Sequence, residues 1–240
     1  SPEDASIYNR LGVITGKQEN FTLTLDYCQK AANIEPDNSI YQYNLAVAYE
    51  KLDKYNEAIE HYRKAIKLKP DYIMANLNLS TLLLLTEKFK EGWKHFECRK
   101  YLLENQQEIK KIFWDGQALN GKTIYIHSEQ GLGDTIQFYR YLPLVKEKGG
   151  NIIFICQSEL INLFRENNLG FSQIEPVGKT AINNEIHVPL LSLPGIFSTT
   201  IETIPQEIPY IKTNKNLSKK YLEILGNNGK IKIGVIWKSG

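Results

Sequence analysis

The chain has 240 residues, 42% of them hydrophobic and 23% charged, a globular profile with room for one large domain or two small ones. Its net charge of +2 is too small to imply nucleic acid or a membrane surface as the partner, since both need clustered lysine and arginine. Cys28, Cys98 and Cys156 lie far apart with no CxxC or zinc-type spacing, so reduced thiols in a cytoplasmic protein are expected, and no apolar run approaches the roughly 20 residues that span a bilayer.

Ser1-Pro2-Glu3-Asp4 runs almost at once into a repeat, so the natural N-terminus is expected upstream. Leu11, Leu45 and Leu79 stand 34 residues apart. In the same register are Gly12, Ala46 and Ser80, then Phe21, Tyr55 and Phe89, then Thr24, Ala58 and Gly92, and the first two units close with Pro36-Asp37 and Pro70-Asp71. This is the tetratricopeptide pattern. Its small residues let two antiparallel helices approach, its large ones fill the gap, and proline stops the second helix. Three repeats are expected over residues 5–38, 39–72 and 73–106, within a domain covering 1–106.

The third repeat departs from the pattern, with Arg99 where Ala31 and Ala65 stand and Glu104 in place of proline. It reads as a terminal repeat, whose Trp93, Phe96 and Tyr101 either dock onto the next domain or fill the repeat's own core. Asn44 and Asn78 share one position on the first helix of each pair, and Arg10 replaces asparagine in the first repeat. An amide ladder on the concave surface matches the backbone of an extended peptide, so the repeats are expected to take a protein or peptide partner; a solvated polar face is the alternative.

From residue 120 the pattern changes. Asn120-Gly121 signals a turn, Thr123 to His127 a buried strand, and Ile136, Tyr139, Tyr141, Leu142 and Val145 a helix that Asp134 caps and Pro143 kinks or ends. The intervening Gly131-Leu132-Gly133-Asp134 suits close approach of a polar ligand or anion at the carboxyl end of a strand, or simply a tight turn. His127, a lone histidine beside it, reads as a satisfied buried donor. Asn151–Cys156 and 185–190 read as further strands, 159–167 and 217–225 as helices. Together they make a small doubly wound sheet over residues 107–229.

Trp114-Asp115-Gly116, Gly121-Lys122-Thr123, Glu129 to Phe138 and Arg140-Tyr141-Leu142-Pro143 resemble bacterial tetratricopeptide-repeat proteins whose glycosyltransferase region is similar to ADP-heptose:lipopolysaccharide heptosyltransferases. The likeness continues through Pro189 to Pro194 and Ile204-Pro205 to Ile233-Gly234-Val235-Ile236-Trp237. The match to heptosyltransferases proper is looser and rests mainly on Gly133-Asp134; Leu142-Pro143 stands farther from Asp134 by about one helical turn.

The resemblance implies an α plus α/β chain, with helical repeats followed by a small parallel-sheet Rossmann-like domain, the N-terminal half of a GT-B fold. It implies an ADP- or UDP-sugar donor, no metal, and Asp134 as general base for an inverting transfer to a glycan or protein hydroxyl. Glu129, Gln130, Gly131, Gly133, Gln137 and Arg140 become candidates for binding the acceptor or a phosphate. Residues 230–240 then hold the first strand of a donor domain, with Lys238 and Ser239 where a phosphate-binding loop would start. A whole donor domain needs roughly 100 further residues, so transferase activity is not expected of these 240 alone. A non-catalytic protein-binding scaffold is the other reading.

Overall fold

A computed structural model describes residues 4–103, 112–129, 131–167, 169–179, 185–212 and 214–226. The expected first strand of a donor domain, Ile231 to Trp237, lies outside them, as do Glu104, Gln130, Lys238 and Ser239.

The N-terminal part is three antiparallel helix pairs. These are α1 (Ala5–Lys17) with α2 (Phe21–Ile34), α3 (Ser39–Glu50) with α4 (Tyr55–Leu68), and α5 (Ile73–Leu85) with α6 (Phe89–Phe96). Asp4, Asn20 and Asn38 start helices by accepting from backbone N–H groups of the first turn, at 2.9 Å for Ser6 and 3.1 Å for Ile40. Between the helices of each pair stands a residue in the left-handed region, Glu19 (φ 60°), Asp53 (φ 56°) and Glu87 (φ 60°). The following amide closes back on the first helix in all three, Asn20 to Thr15, Lys54 to Tyr49 and Lys88 to Leu83. The backbone therefore repeats three times, the divergent third unit included. The small in-register residues are all buried, Gly12, Ala46 and Ser80 on the first helices and Thr24, Ala58 and Gly92 on the second.

A second register ties the two helices of a pair together and to the turn that precedes them. Gln42 Nε2 donates to the Pro36 carbonyl (2.8 Å), and Gln42 Oε1 lies 2.8 Å from His61 Nδ1. One repeat later Asn76 Nδ2 reaches the Pro70 carbonyl (3.4 Å), and its Oδ1 lies 2.8 Å from His95 Nδ1. The amide nitrogens are already donating, so each histidine carries its proton on Nδ1.

Helix α6 is short. After Phe96 the chain tightens into a 3₁₀ turn, Glu97–Arg99, and then α7 (Lys100–Leu103). The C-terminal part is an open sheet of β1 (Ile112–Phe113), β2 (Thr123–His127), β3 (Asn151–Cys156), β4 (Gln173–Pro176) and β5 (Ile186–Pro189), ordered β1-β5-β2-β3-β4 with every neighbour parallel. Between the strands run α8 (Leu132–Phe138), α9 (Leu142–Lys146) and α10 (Ile161–Glu166), and beyond them α11 (Leu193–Ile196) and α12 (Lys215–Leu225). Ile124, Ile126, Phe154 and Val188 carry the sheet side of the core, with Tyr139, Phe164 and Phe171 packed above; Tyr139 and Phe164 stack at 4.2 Å.

The chain moves outward from β2 to β3 and β4, then returns to the far side of β2 for β5. Their carboxyl ends therefore flank a topological switch point, the place where open parallel sheets hold ligands. Among the described residues no helix is long and apolar enough to cross a membrane.

The expected aromatic docking is realised by two residues of three. Trp93 Nε1 donates to the Thr199 carbonyl (2.9 Å) and lies against Gly195, and Phe96 packs on the sheet's core. Tyr101 is 65% exposed and, among the described residues, is not one of those packed on that core.

Candidate functional site

The loop after β2 begins with Ser128 and Glu129 and enters α8 through Gly131, which is extended (φ −64°, ψ 171°) and caps the helix. Thr135 N donates to the Gly131 carbonyl, so the first turn closes two residues earlier than expected: the helix opens at Leu132, and Asp134 sits inside its first turn without capping it. Nor does Pro143 kink this helix. The chain passes through a 3₁₀ turn at Tyr139–Tyr141, and Pro143 occupies the first turn of α9, where its missing N–H costs nothing.

Asp134 is half-buried and makes no hydrogen bond or ion pair among the described residues; a Cβ built on Gly131 would lie 4.0 Å from its Oδ2. Gly131, Gly133 and Gln137 are exposed around it. Below, Thr135 Oγ1 donates to Gln157 Oε1 (2.9 Å), tying α8 to the end of β3.

Glu129 lies underneath the loop, its side chain only 2% exposed. Its Oε2 accepts from Arg99 Nη2 (3.1 Å) and from the Leu191 amide (3.2 Å). Arg99, itself 4% exposed, also donates to Ser192 Oγ (2.8 Å), Glu97 Oε1 (2.9 Å) and the Phe96 carbonyl (3.2 Å). Ser192 Oγ closes the ring by donating to Glu97 Oε2 (3.1 Å). Burial pushes the Glu129 carboxyl above the ordinary range, against the pull of Arg99. Burial acts likewise on Glu97, but Lys100 and Arg99 outweigh it and hold that carboxyl below the usual value. The arginine of the last repeat thus fills the switch point between β2 and β5.

Arg140 faces elsewhere. Its guanidinium stacks 4.4 Å from the Tyr210 ring in a cavity of about 420 Å³ bounded also by Pro143, Glu147 and Glu166, and Asp134 does not line it. His127 Nε2 meets His187 Nδ1 at 3.2 Å across β2 and β5. Among the described residues no three metal-ligating side chains cluster.

On the repeats, Asn44 Nδ2 donates to Asn9 Oδ1 (2.7 Å), and Asn78 Nδ2 to the hydroxyls of Tyr62 (3.0 Å) and Tyr43 (3.4 Å). The two amides share a register, as expected, but each donor is engaged within the array. The sequence drew attention to Arg99 only as a departure from the repeat; Gln157 and the role of Ser192 carried no signal, because their partners lie 22 and 93 residues away.

No curated protein matches this chain. Three tetratricopeptide domains of known structure are similar to it. The Arabidopsis OM64 domain is 20% identical, with a TM-score of 0.40, covering 45% of this chain and 88% of that one. The TPR2B domain of yeast Sti1, in a pHsp70 complex, is 18% identical with a TM-score of 0.39, over 40% and 78%. The first TPR of Spaghetti (RPAP3), bound to the HSP90 peptide SRMEEVD, is 24% identical with a TM-score of 0.41, over 44% and 84%. Residues 40–72, which hold nearly all of α3 and the whole of α4, match the tetratricopeptide repeat family.

Proposed function

We propose that the repeats bind a protein or peptide and that the α/β part is the acceptor half of a GT-B glycosyltransferase acting on a glycan or protein hydroxyl. The observation that carries the enzyme reading is Asp134, a carboxylate without a partner among the described residues, at the carboxyl edge of a parallel sheet beside its switch point. In the proposed step the acceptor hydroxyl gives its proton to Asp134 while its oxygen bonds to the anomeric carbon. The bond from that carbon to the nucleoside diphosphate breaks, and the diphosphate leaves with the electron pair. Gly131, Gly133 and Gln137 would lie against the acceptor, with Glu129 shaping the loop from beneath. Gln130, and a diphosphate contact at Lys238 and Ser239, belong to the same reading on resemblance alone.

Repeat-mediated protein binding draws support from the family match over residues 40–72. A purely non-catalytic scaffold is favoured by one feature, the filling of the β2–β5 crevice by Arg99 and Glu129.

Isothermal titration of the full-length protein against a panel of nucleotide sugars tests the enzyme reading: a donor that binds supports it, and none binding leaves the scaffold. With a donor in hand, Asp134→Asn should abolish transfer while binding and fold persist. Retained turnover would remove Asp134 as the base.

A further inference from the structure

We infer that Arg99 is a positioning residue through which the repeat array sets the loops at the sheet's switch point; calling the β2–α8 loop a site rests on the proposed function. Arg99 stands 34 residues beyond Ala65 and 68 beyond Ala31, both fully buried where helices close on one another. A long cation at that position has no packing role inside the array. It leaves the array instead, through the break between α6 and α7, with Phe96 stacked 4.3 Å from the guanidinium.

Its partners outside the repeats come from both flanks of the switch point. Glu129 follows β2 and leads towards α8, whose first turn bears Asp134, and Ser192 follows β5. Glu129 also holds the Leu191 amide and Ser192 also holds Glu97, so the two strand-end loops are fastened to each other and to the third repeat in one closed ring. A planar fork with five donors can span such a ring, whereas an ammonium group cannot. Without Arg99, Glu129 would be a buried carboxylate with no cation beside it, relieved by taking up a proton or by the loop's swinging it into water, and either way the charge-assisted hold on the two loops is lost. A ligand that shifts the last repeat would then act on the loop by the same route.

Amide hydrogen exchange on the chain without ligand tests this independently of any sugar transfer. In Arg99→Met, protection should fall about tenfold or more at the bonded amides of the two loops, Thr135, Leu191 and Leu193, and stay unchanged in β3 and in α4. Adding Glu129→Gln to that variant should restore most of the lost protection, because the uncompensated charge is gone. Arg99→Lys, the milder change, should fold fully yet loosen the same two segments. Unchanged loops in both single variants, a loss spread evenly over both domains, or no recovery in the double variant would each overturn the inference. Failure of every nucleotide sugar to bind would count against the enzyme reading alone and leave these results standing.

Discussion

His61 Nδ1 lies 2.8 Å from Gln42 Oε1, and 34 residues on His95 stands in the same relation to Asn76. Burial holds both imidazoles below the ordinary histidine value; Lys64 adds to this at His61, and at His95 the pull of Glu91 does not offset it. An unfolded chain therefore takes up protons first as pH drops past about 6.5, and the stability these groups contribute above that pH is lost as it falls through their folded values. Thermal unfolding should show a lower midpoint at pH 5.5 than at 7.5. In His61→Gln/His95→Gln that difference should shrink, and an undiminished pH dependence would assign the effect to other groups.

Tyr62 is fully buried; its hydroxyl donates to Glu50 Oε2 (2.5 Å) and accepts from Asn78 (3.0 Å). Tyr62→Phe removes both bonds, taking a buried donor from Glu50 and leaving Asn78 only its longer bond to Tyr43 (3.4 Å), which should cost about 1–3 kcal/mol in urea unfolding. Asn78→Ala should cost about 1 kcal/mol, since this amide serves the array before any peptide. Equal midpoints for wild type and both variants would show that the network contributes nothing.

The repeats were legible because their signals are local and recur in register: Leu45 and Leu79 are buried alike, and the left-handed turns at Glu19, Asp53 and Glu87 follow from the same spacing. Strands β2 and β3 matched their expected bounds because short β-branched runs between turn residues have few alternatives. The pairing of Gln42 with His61 is equally periodic yet carries no sequence signal, since polar residues on helices rarely need a partner. Arg99 stands out in the sequence, but its ion pair with Glu129 spans 30 residues, from the third repeat to the loop after β2, beyond any local pattern. Asp134 looked like a cap because acids favour that place; the extended Gly131 took it instead.

Burial pushes the thiols of Cys28, Cys98 and Cys156 each up to about 11. At pH 8 only about one in a thousand would be thiolate, the form that reacts. Native iodoacetamide labelling should therefore be slow at all three, with Cys98 first because it is the least buried. Labelling at the rate of a free cysteine would show that the surrounding helices open readily.

Gly133 is a glycine that the fold does not require. A Cβ built there meets nothing within 4 Å, its backbone is helical with no positive φ, and it lies in the first turn of α8. Gly150 is the contrast: a Cβ there would lie 2.4 Å from Leu119 Cδ1 and 3.1 Å from the Lys122 carbonyl. Gly150→Ala should thus lose about 1–3 kcal/mol to overpacking, whereas Gly133→Ala should be neutral or gain up to about 1 kcal/mol from helix propensity. If close approach of an acceptor is why residue 133 lacks a side chain, Gly133→Ala in the full-length protein should transfer sugar at least about tenfold more slowly while its melting temperature holds or rises. A stable Gly133→Ala protein with undiminished turnover would show that nothing approaches the backbone there, and would move the acceptor away from this loop.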